Sequence, residues 1–577
     1  MKKNTLQKVL ALTLAGVMAM GTLTACGNNN TPASTNSSAP SDSSEAPGSE
    51  AAADTDAGVP EAVAGVEGYT AFDSNVTLRI PVYDRGEQSL QPVDDNYWTN
   101  YLQENFGDQY NITLEFEPIN RTDQMTSYSL LAAGETLPTF LMEYDYWRVA
   151  TWVADGYMTP FDMEEFAFVA PDYYNRMIEL GTLHYSEMQG DTYLVLAERP
   201  FSNTNYKFVE FVRMDWLREV GYDSVPVEYE DEMEALRKIQ EAGISAHPYG
   251  GNMITGTGSD QNYSLRSFPM NEEEWAMYSS LGIYSLGWEP AKKFLERENE
   301  KYNEGLLNPE YFVTSEEDQR ANFINGDVYK YGGYMSSSVD WLLAFYENNP
   351  DAELAIKPIK LTDTADDTAI YRTDNPFGMI IGFSSQASED EIRAAWMYLE
   401  WMSQDENLFP FAWGVEGENY NMVDGAPVGV GEYAGEYKQG YNNNKDYWCV
   451  SVEARVIGMG GVEDVIKANA PQGLPVDFTD DLIQVYYDQV GLTEKGYGIF
   501  DPLYAEVIDV EAEYQASLAD LYISYRDQLV RCAPDQFDAL YEDLSQKYWD
   551  AGFGEIVEAR KALYQAGKTS VLADESK

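Results

Sequence analysis

Histidine and cysteine are scarce in this 577-residue chain, with two of the first and three of the second. His184 and His247 stand alone, which leaves no histidine-dependent catalytic triad. No HExxH helix, CxxC pair or GxxxxGK[ST] loop occurs. The sequence patterns of a zinc hydrolase, a thiol redox centre and a phosphate cradle are therefore all missing. Gly429, Gly431 and Gly435 miss the GxGxxG spacing and read as a loop. Basic residues are also few, 37 against 97 acidic, for a formal charge of −60. Such a surface repels phosphate backbones and anionic headgroups, so no nucleic-acid partner is expected. Long apolar runs are lacking as well: the uncharged stretch Val9–Ala25 falls short of the ~20 apolar residues of a good spanning helix. Among so many acidic residues a glycosidase pair of carboxylates stays open, but no spacing singles one out.

What is present begins with that uncharged stretch. Lys2, Lys3 and Lys8 precede it and small residues follow, the three parts of a secretory signal peptide, so residues 1–25 lie outside any fold. Leu23-Thr24-Ala25-Cys26 resembles a bacterial lipobox, in which the cysteine sulfur carries lipid and becomes the first mature residue. Two acyl chains such as palmitate suffice to hold a soluble domain at a membrane. The expected location is the extracytoplasmic face of the cell membrane, anchored at Cys26. Residues 26–70 contain almost no large apolar side chain and are expected to form a disordered tether. Cys449 and Cys532 could pair after export or remain two buried thiols; sequence does not fix their distance.

Beyond the tether, strand and helix signals alternate. Val76, Leu78, Ile80 and Val82 point one way, as do Ile112, Leu114 and Phe116, the period of half-buried strands. Between them, Tyr97/Tyr101 and Trp98/Leu102 recur one helical turn apart. Strand, helix, strand predicts a mainly parallel sheet. Ser315 with Asp318, and Ser388 with Glu391, are helix-start pairs. The last hundred residues read as largely helical, with a stripe of Phe537, Leu540, Leu544 and Tyr548 and a stop at Gly552. The class is α/β with a helical C-terminal part.

The unusual abundance is aromatic: 43 Tyr, 23 Phe and 12 Trp. Most must be core, yet some sit in polar, loop-like stretches: MEYDYWR (142–148), SNTNY (202–206), GGYMSSSVDW (332–341) and FAWGVEGENYN (411–421). Rings beside Asp, Asn, Ser or Glu suit a ligand whose faces stack while its hydroxyls are hydrogen-bonded.

Several ordered segments resemble the extracellular solute-binding proteins of family 1, the sugar-type receptors of ABC importers. SYSLLAAGETLPTFLMEY is similar to a segment in which Leu-Pro-Asp leads into a strand, with Thr139 here in place of Asp. WVADGYMTPFD, FVRMDWLREVGYDSVPVEYEDEMEALR, EKYNEGLLNPEYF, WGVEGENYN and YWDAGFGEIVEARKALYQ each resemble further family segments. The resemblance implies a two-lobed periplasmic-binding-protein type II fold with hinge crossings. Lobe I is expected from 71–211 and 377–425, lobe II from 212–376 and 426–577. Crossings are expected near Phe211–Arg213, near 370–382 and within 415–450. Some members carry a calcium loop where this chain reads AGISAHPYGGNM, so no metal and no cofactor is expected.

The implied function is that of a lipoprotein receptor, not an enzyme, taking a small solute, expected to be an oligosaccharide, to ABC permease subunits as a monomer. Two other classes stay open: a receptor for a peptide or other amine-containing solute, and a lipid-anchored glycoside hydrolase. The expected ligand contacts are Tyr144, Asp145 and Trp147; Asn205 and Tyr206; Asp215; Tyr334 and Trp341; and Trp413, Glu416 and Asn419. Asp215 is weighed equally as a helix cap, whereas Trp216 is read as core.

Overall fold

The computed structural model describes residues 70–84, 92–121, 123–200, 208–250, 271–279, 283–334, 339–358, 371–423, 425–430, 434–435, 446–452, 454–470, 474–496 and 498–572. The signal peptide, Cys26, nearly all of the tether, Asn205 and Tyr206 lie outside the described residues. Among the described residues no helix is long and apolar enough to cross a membrane.

The first units follow the alternation read from sequence. Strand β1 (Val76–Asp84) buries Val76, Leu78, Ile80 and Val82. It pairs in parallel with β2 (Ile112–Asn120), with Val76 opposite Ile112 and Asp84 opposite Asn120. Between them α1 (Tyr97–Leu102) starts where the Asn96 side chain accepts the N–H groups of Trp98 and Thr99. Helix α2 (Gln124–Ala133), strand β3 (Phe140–Glu143), helix α3 (Tyr146–Ala154) and strand β4 (Val195–Glu198) follow. Thr139 explains its own departure from the Leu-Pro-Asp pattern: its hydroxyl accepts the Arg79 N–H at 3.1 Å while its N–H donates to the Arg79 carbonyl at 2.9 Å. These bonds seat β3 beside β1.

The chain then builds a second sheet from β5 (Phe208–Arg213), which is followed by α4 (Met214–Glu219), α5 (Tyr229–Glu241) and α6 (Glu289–Asn303). Helix α7 (Glu316–Asn325) opens on the predicted Ser315–Asp318 box. Strand β6 (Lys330–Tyr334), helix α8 (Val339–Asn348) and strand β7 (Leu354–Ile356) complete the unit. Strands β6 and β7 flank β5, both antiparallel to it. Alternation along β5 feeds two apolar layers: Val209 and Phe211 join Trp341 and Phe345, while Val212 joins Leu217, Leu236 and Tyr329. A sheet covered on both faces needs apolar residues at successive positions, which is what this strand supplies.

Strand β8 (Tyr371–Arg372) precedes β9 (Phe377–Phe383), which inserts between β3 and β4, antiparallel to both. Here the expected mainly parallel sheet is corrected. A strand arriving from the other lobe enters its sheet from the opposite end. All of β9 is buried, and a side chain at Gly382 would collide with the Met158 thioether. Helix α9 (Glu389–Ser403) carries the predicted Ser388–Glu391 box, and α10 (Asp405–Trp413) follows. Tyr447, Trp448, Cys449 and Val450 pack in the first core, with β1 to β4 and β9.

Helices α11 (Val462–Asn469) and α12 (Thr479–Glu494) cover the second sheet. Strand β10 (Gly498–Tyr504) pairs in parallel with β8 and antiparallel with β11 (Thr569–Leu572). Helices α13 (Asp509–Arg531), α14 (Phe537–Tyr548) and α15 (Gly554–Gln565) form the helical C-terminal part. Their Leu518, Tyr522, Leu529 and Leu544 pack against Phe294 and Leu295 of α6.

Four expectations shift in detail. The first passage between cores runs from Glu198 to Phe208, because Phe211–Arg213 already lies inside the second sheet. A later one runs from about Met459, which packs on the first core, to Val462, which packs on the second, beyond the expected 415–450, and β10 then returns Phe500 and Leu503 to the first core. Gly552 is a kink rather than a stop: at φ 120° it sits in a wide turn joining α14 to α15, where the Tyr514 ring leaves no room for a Cβ. Gly429 ends a strand, Ala426–Gly429, that pairs with Tyr420–Val423. Cys449 and Cys532 are both free thiols.

Candidate functional site

Ligands of open α/β sheets gather beyond the carboxyl ends of their strands. In the first lobe β1, β2 and β3 end together. Arg121, directly after β2, donates its N–H to the Asp84 carbonyl at the end of β1 at 2.9 Å. Glu143 closes β3 with a wholly buried side chain.

Glu143 is the hub of this edge. It accepts the Tyr83 hydroxyl at 3.0 Å, the Tyr144 N–H at 2.8 Å and the Asp145 N–H at 3.3 Å. Arg121 and Arg148 each bring a guanidinium nitrogen to 3.6 Å from it. The Arg121 guanidinium also lies over two rings, 4.8 Å from the centre of Tyr83 and 5.3 Å from that of Tyr144. Buried Asp446 joins from far along the chain, accepting the Tyr83 N–H at 3.1 Å and the Tyr144 hydroxyl at 2.8 Å. Burial, with Tyr128 and Glu143 nearby, pushes the Tyr83 hydroxyl far above its ordinary pKa, so it stays protonated and donates.

The turn hung from this hub carries three of the sequence-predicted contacts. Tyr144, Asp145 and Trp147 are all half-buried, at the start of α3. Asp145 pairs with Arg148 at 2.9 Å. Burial raises its carboxyl above the usual range, with Arg148 and Arg121 pulling it down and Glu143 and Asp501 pushing it up. The Trp147 ring lies 5.0 Å beneath the Arg148 guanidinium. A ring face, a half-buried carboxylate and the Arg148 guanidinium on one turn, with the Arg121 guanidinium beside it, can stack on an apolar face and exchange hydrogen bonds with hydroxyls. Glu143, Arg121, Arg148, Tyr83 and Asp446 were not singled out in the sequence. Glu143 and Arg148 lie inside MEYDYWR, and Tyr83 and Arg121 stand where strands end, which is the signal that marks them.

The remaining candidates fall elsewhere. Asp215 grips Arg213 through two bonds of 2.9 and 2.6 Å, and that guanidinium lies 4.4 Å over Trp216, which is buried as weighed. Asp215 neither caps α4 nor joins the Glu143 cluster. Trp341 belongs to the second core, 5.5 Å from the Phe211 ring and 5.2 Å from Tyr331, because the stretch read as a loop turns into α8 two residues earlier. Trp413 is 2% exposed and donates its indole N–H to the Ile457 carbonyl at 3.1 Å. Asn419 is equally buried and accepts the Val415 N–H at 2.8 Å, closing the turn that begins at Gly414. Burial thus removes Trp341, Trp413 and Asn419 from the candidate surface. Glu416 is exposed on that same turn. The Tyr334 backbone pairs with Phe208; its side chain lies outside the described residues. Among the described residues no group of three or more His, Cys, Asp or Glu converges as metal ligands do.

No protein-family model and no curated protein matches the chain. Solved structures do. Alginate-binding protein AlgQ2 without calcium ion aligns with a TM-score of 0.54 at 12% identity, over 86% of this chain and 99% of that chain. An HMO-binding, ABC-transporter-associated solute-binding protein from Bifidobacterium longum infantis gives 0.57 at 12% identity, over 86% and 99%. The ABC-transporter substrate-binding protein FusA of S. pneumoniae, in complex with kestose, gives 0.56 at 12% identity, over 85% and 100%. The chain has the two-lobed α/β fold of the solute-binding proteins of ABC transporters.

Proposed function

We propose that this chain is an extracytoplasmic receptor that binds a carbohydrate, an oligosaccharide, between its lobes and passes it unchanged to an ABC permease. The observation that carries the reading is the Tyr144–Asp145–Trp147 turn, held at the carboxyl edge of the first-lobe sheet by Glu143. A solute touching both lobes gains contacts only when they close, and it shifts the population by no more than that differential affinity. Acyl chains on Cys26 and the 26–70 tether keep the monomer at the outer membrane face, which raises its effective concentration at the permease. The likeness to proteins crystallised with sugars supports the ligand class.

Ligand raises stability by RT ln(1 + [L]/Kd), so a thermal-shift screen of oligosaccharides and polyols tests the reading. A hit is expected to be lost in Trp147→Ala and in Asp145→Ala, and the sugar to be recovered uncleaved. A large shift with amines and none with sugars transfers the reading to an amine-bearing solute, and released product transfers it to a hydrolase.

A further inference from the structure

Beside Trp147 a recess of about 60 Å³ opens between α3 and the segment from β10 to α13. Tyr146 and Trp147 wall it from the first lobe; Ile283, Pro502 and Tyr504 wall it from the other side. Its walls are mainly rings and aliphatic carbons, with Thr151 and Gln515 as uncharged polar side chains. The carboxylates at its edge, Glu506 and Glu511, are already matched by Lys568 and Arg560, so the recess asks for no cation. A volume of this size holds about four waters, at roughly 10–15 Å³ each. Waters against rings make few good hydrogen bonds, and an apolar group that displaces them gains affinity.

We propose that this recess is a subsite for a short acyl or methyl-ester substituent carried by the solute. The inference rests on the carbohydrate reading and narrows it: Trp147, the ring proposed to stack on the sugar, is also one wall of the recess. Three or four heavy atoms, those of an acetyl ester, match the room. One wall is α3 and the other the segment from β10 to α13, so a group seated there touches two stretches of the chain far apart in sequence.

Two measurements test this on the full chain. The first needs no sugar. In 5-fluorotryptophan-labelled protein, with the Trp147 resonance assigned by Trp147→Phe, methyl acetate is expected to move that resonance selectively. Ala512→Phe, at an exposed position on the mouth of the recess, is expected to abolish the movement. The second compares O-acetylated glucomannan oligosaccharides with their alkali-deacetylated counterparts by calorimetric titration. Burying one methyl group corresponds to roughly fourfold tighter binding of the acetylated form, and Ala512→Phe is expected to erase the difference while leaving the deacetylated form unchanged. No movement of the Trp147 resonance, or movement that survives Ala512→Phe, overturns the subsite. Equal affinity of the two forms does the same while leaving the carbohydrate reading intact. A Trp147 response to methyl acetate with neither oligosaccharide bound overturns the sugar-linked role and sends the search to non-sugar esters.

Discussion

Replacing Glu143 with alanine tests the hub directly. Its carboxylate is wholly buried and holds the Tyr83 hydroxyl at 3.0 Å, the Tyr144 N–H at 2.8 Å and two guanidiniums at 3.6 Å. Removing one partner of a buried pair costs about 3–5 kcal/mol. The Arg121 and Arg148 side chains are 29% and 24% exposed and can recruit water, so the lower end, about 3 kcal/mol, applies. Unfolding entropy of about 2.1 cal/mol/K per residue over the roughly 430 described residues makes that a fall in Tm of about 3 °C. A first lobe of roughly 200 residues melting by itself falls by about 7 °C on the same figure. Glu143→Gln keeps an oxygen for the Tyr144 N–H but not the charge, and should lose about half as much. Calorimetry reads the melting, and titration with a sugar found by the screen reads the turn, whose loosening should weaken binding by about tenfold, or 1.4 kcal/mol. An alanine variant that melts with the parent and binds as tightly refutes the hub.

Other outcomes follow from the same geometry. Trp341→Ala, deep in the second core, should cost about 3–5 kcal/mol of stability, whereas Trp147→Ala should leave melting nearly unchanged and remove ligand response; denaturant titration separates them. Burial pushes the Glu400 carboxyl up to about 7, against the N–H bonds it accepts from Tyr173 and Asp172. A group raised in the folded state binds more protons there, so its contribution to stability falls as pH rises from about 4.5 to about 7. The melting difference between Glu400→Gln and the parent should therefore grow in favour of the variant across that window; a flat difference removes the premise. Burial raises both the Cys449 and the Cys532 thiols, so exposure separates them: buried Cys449 should react with a thiol reagent only on denaturation, partly exposed Cys532 slowly in the native protein, and reductant should leave Tm unchanged.

Local signals carried the elements, and long-range ones carried the exceptions. The alternation of Val76 to Val82 and the capping pairs at Ser315 and Ser388 were legible because both the pattern and its partner lie within a few residues. The antiparallel place of β9 was not, because it depends on a return from the other lobe more than 230 residues after β3. The same limit split the site. MEYDYWR supplied Tyr144, Asp145 and Trp147 from one contiguous stretch, but Asp446 reaches Tyr144 across 302 positions. Trp341 and Trp413 misled for a different reason: an aromatic beside polar residues in sequence has those neighbours pointing elsewhere once a helix forms, and its own ring is left to the core.

The site separates residues that hold from residues that can respond. Glu143 already meets donors through both oxygens in this structure, so a ligand has little to add to it. Asp145 is different: burial has raised its carboxyl, which means its ionised form is under-solvated despite Arg148. A hydroxyl donating to it relieves that cost, and a sugar face on Trp147 removes half-exposed ring area from water. Only contacts of this second kind can supply the differential affinity that drives closure. Substitutions at Glu143 should then change stability and affinity together, whereas Asp145→Asn should cost affinity while stability at neutral pH holds or rises. In Asp145→Asn the raised carboxyl is gone, so the gain over the parent should fade as pH drops toward the ordinary carboxylate range. If Asp145→Asn instead destabilises the protein as Glu143→Ala does, the turn is a structural strut and the candidate site must be sought on another edge.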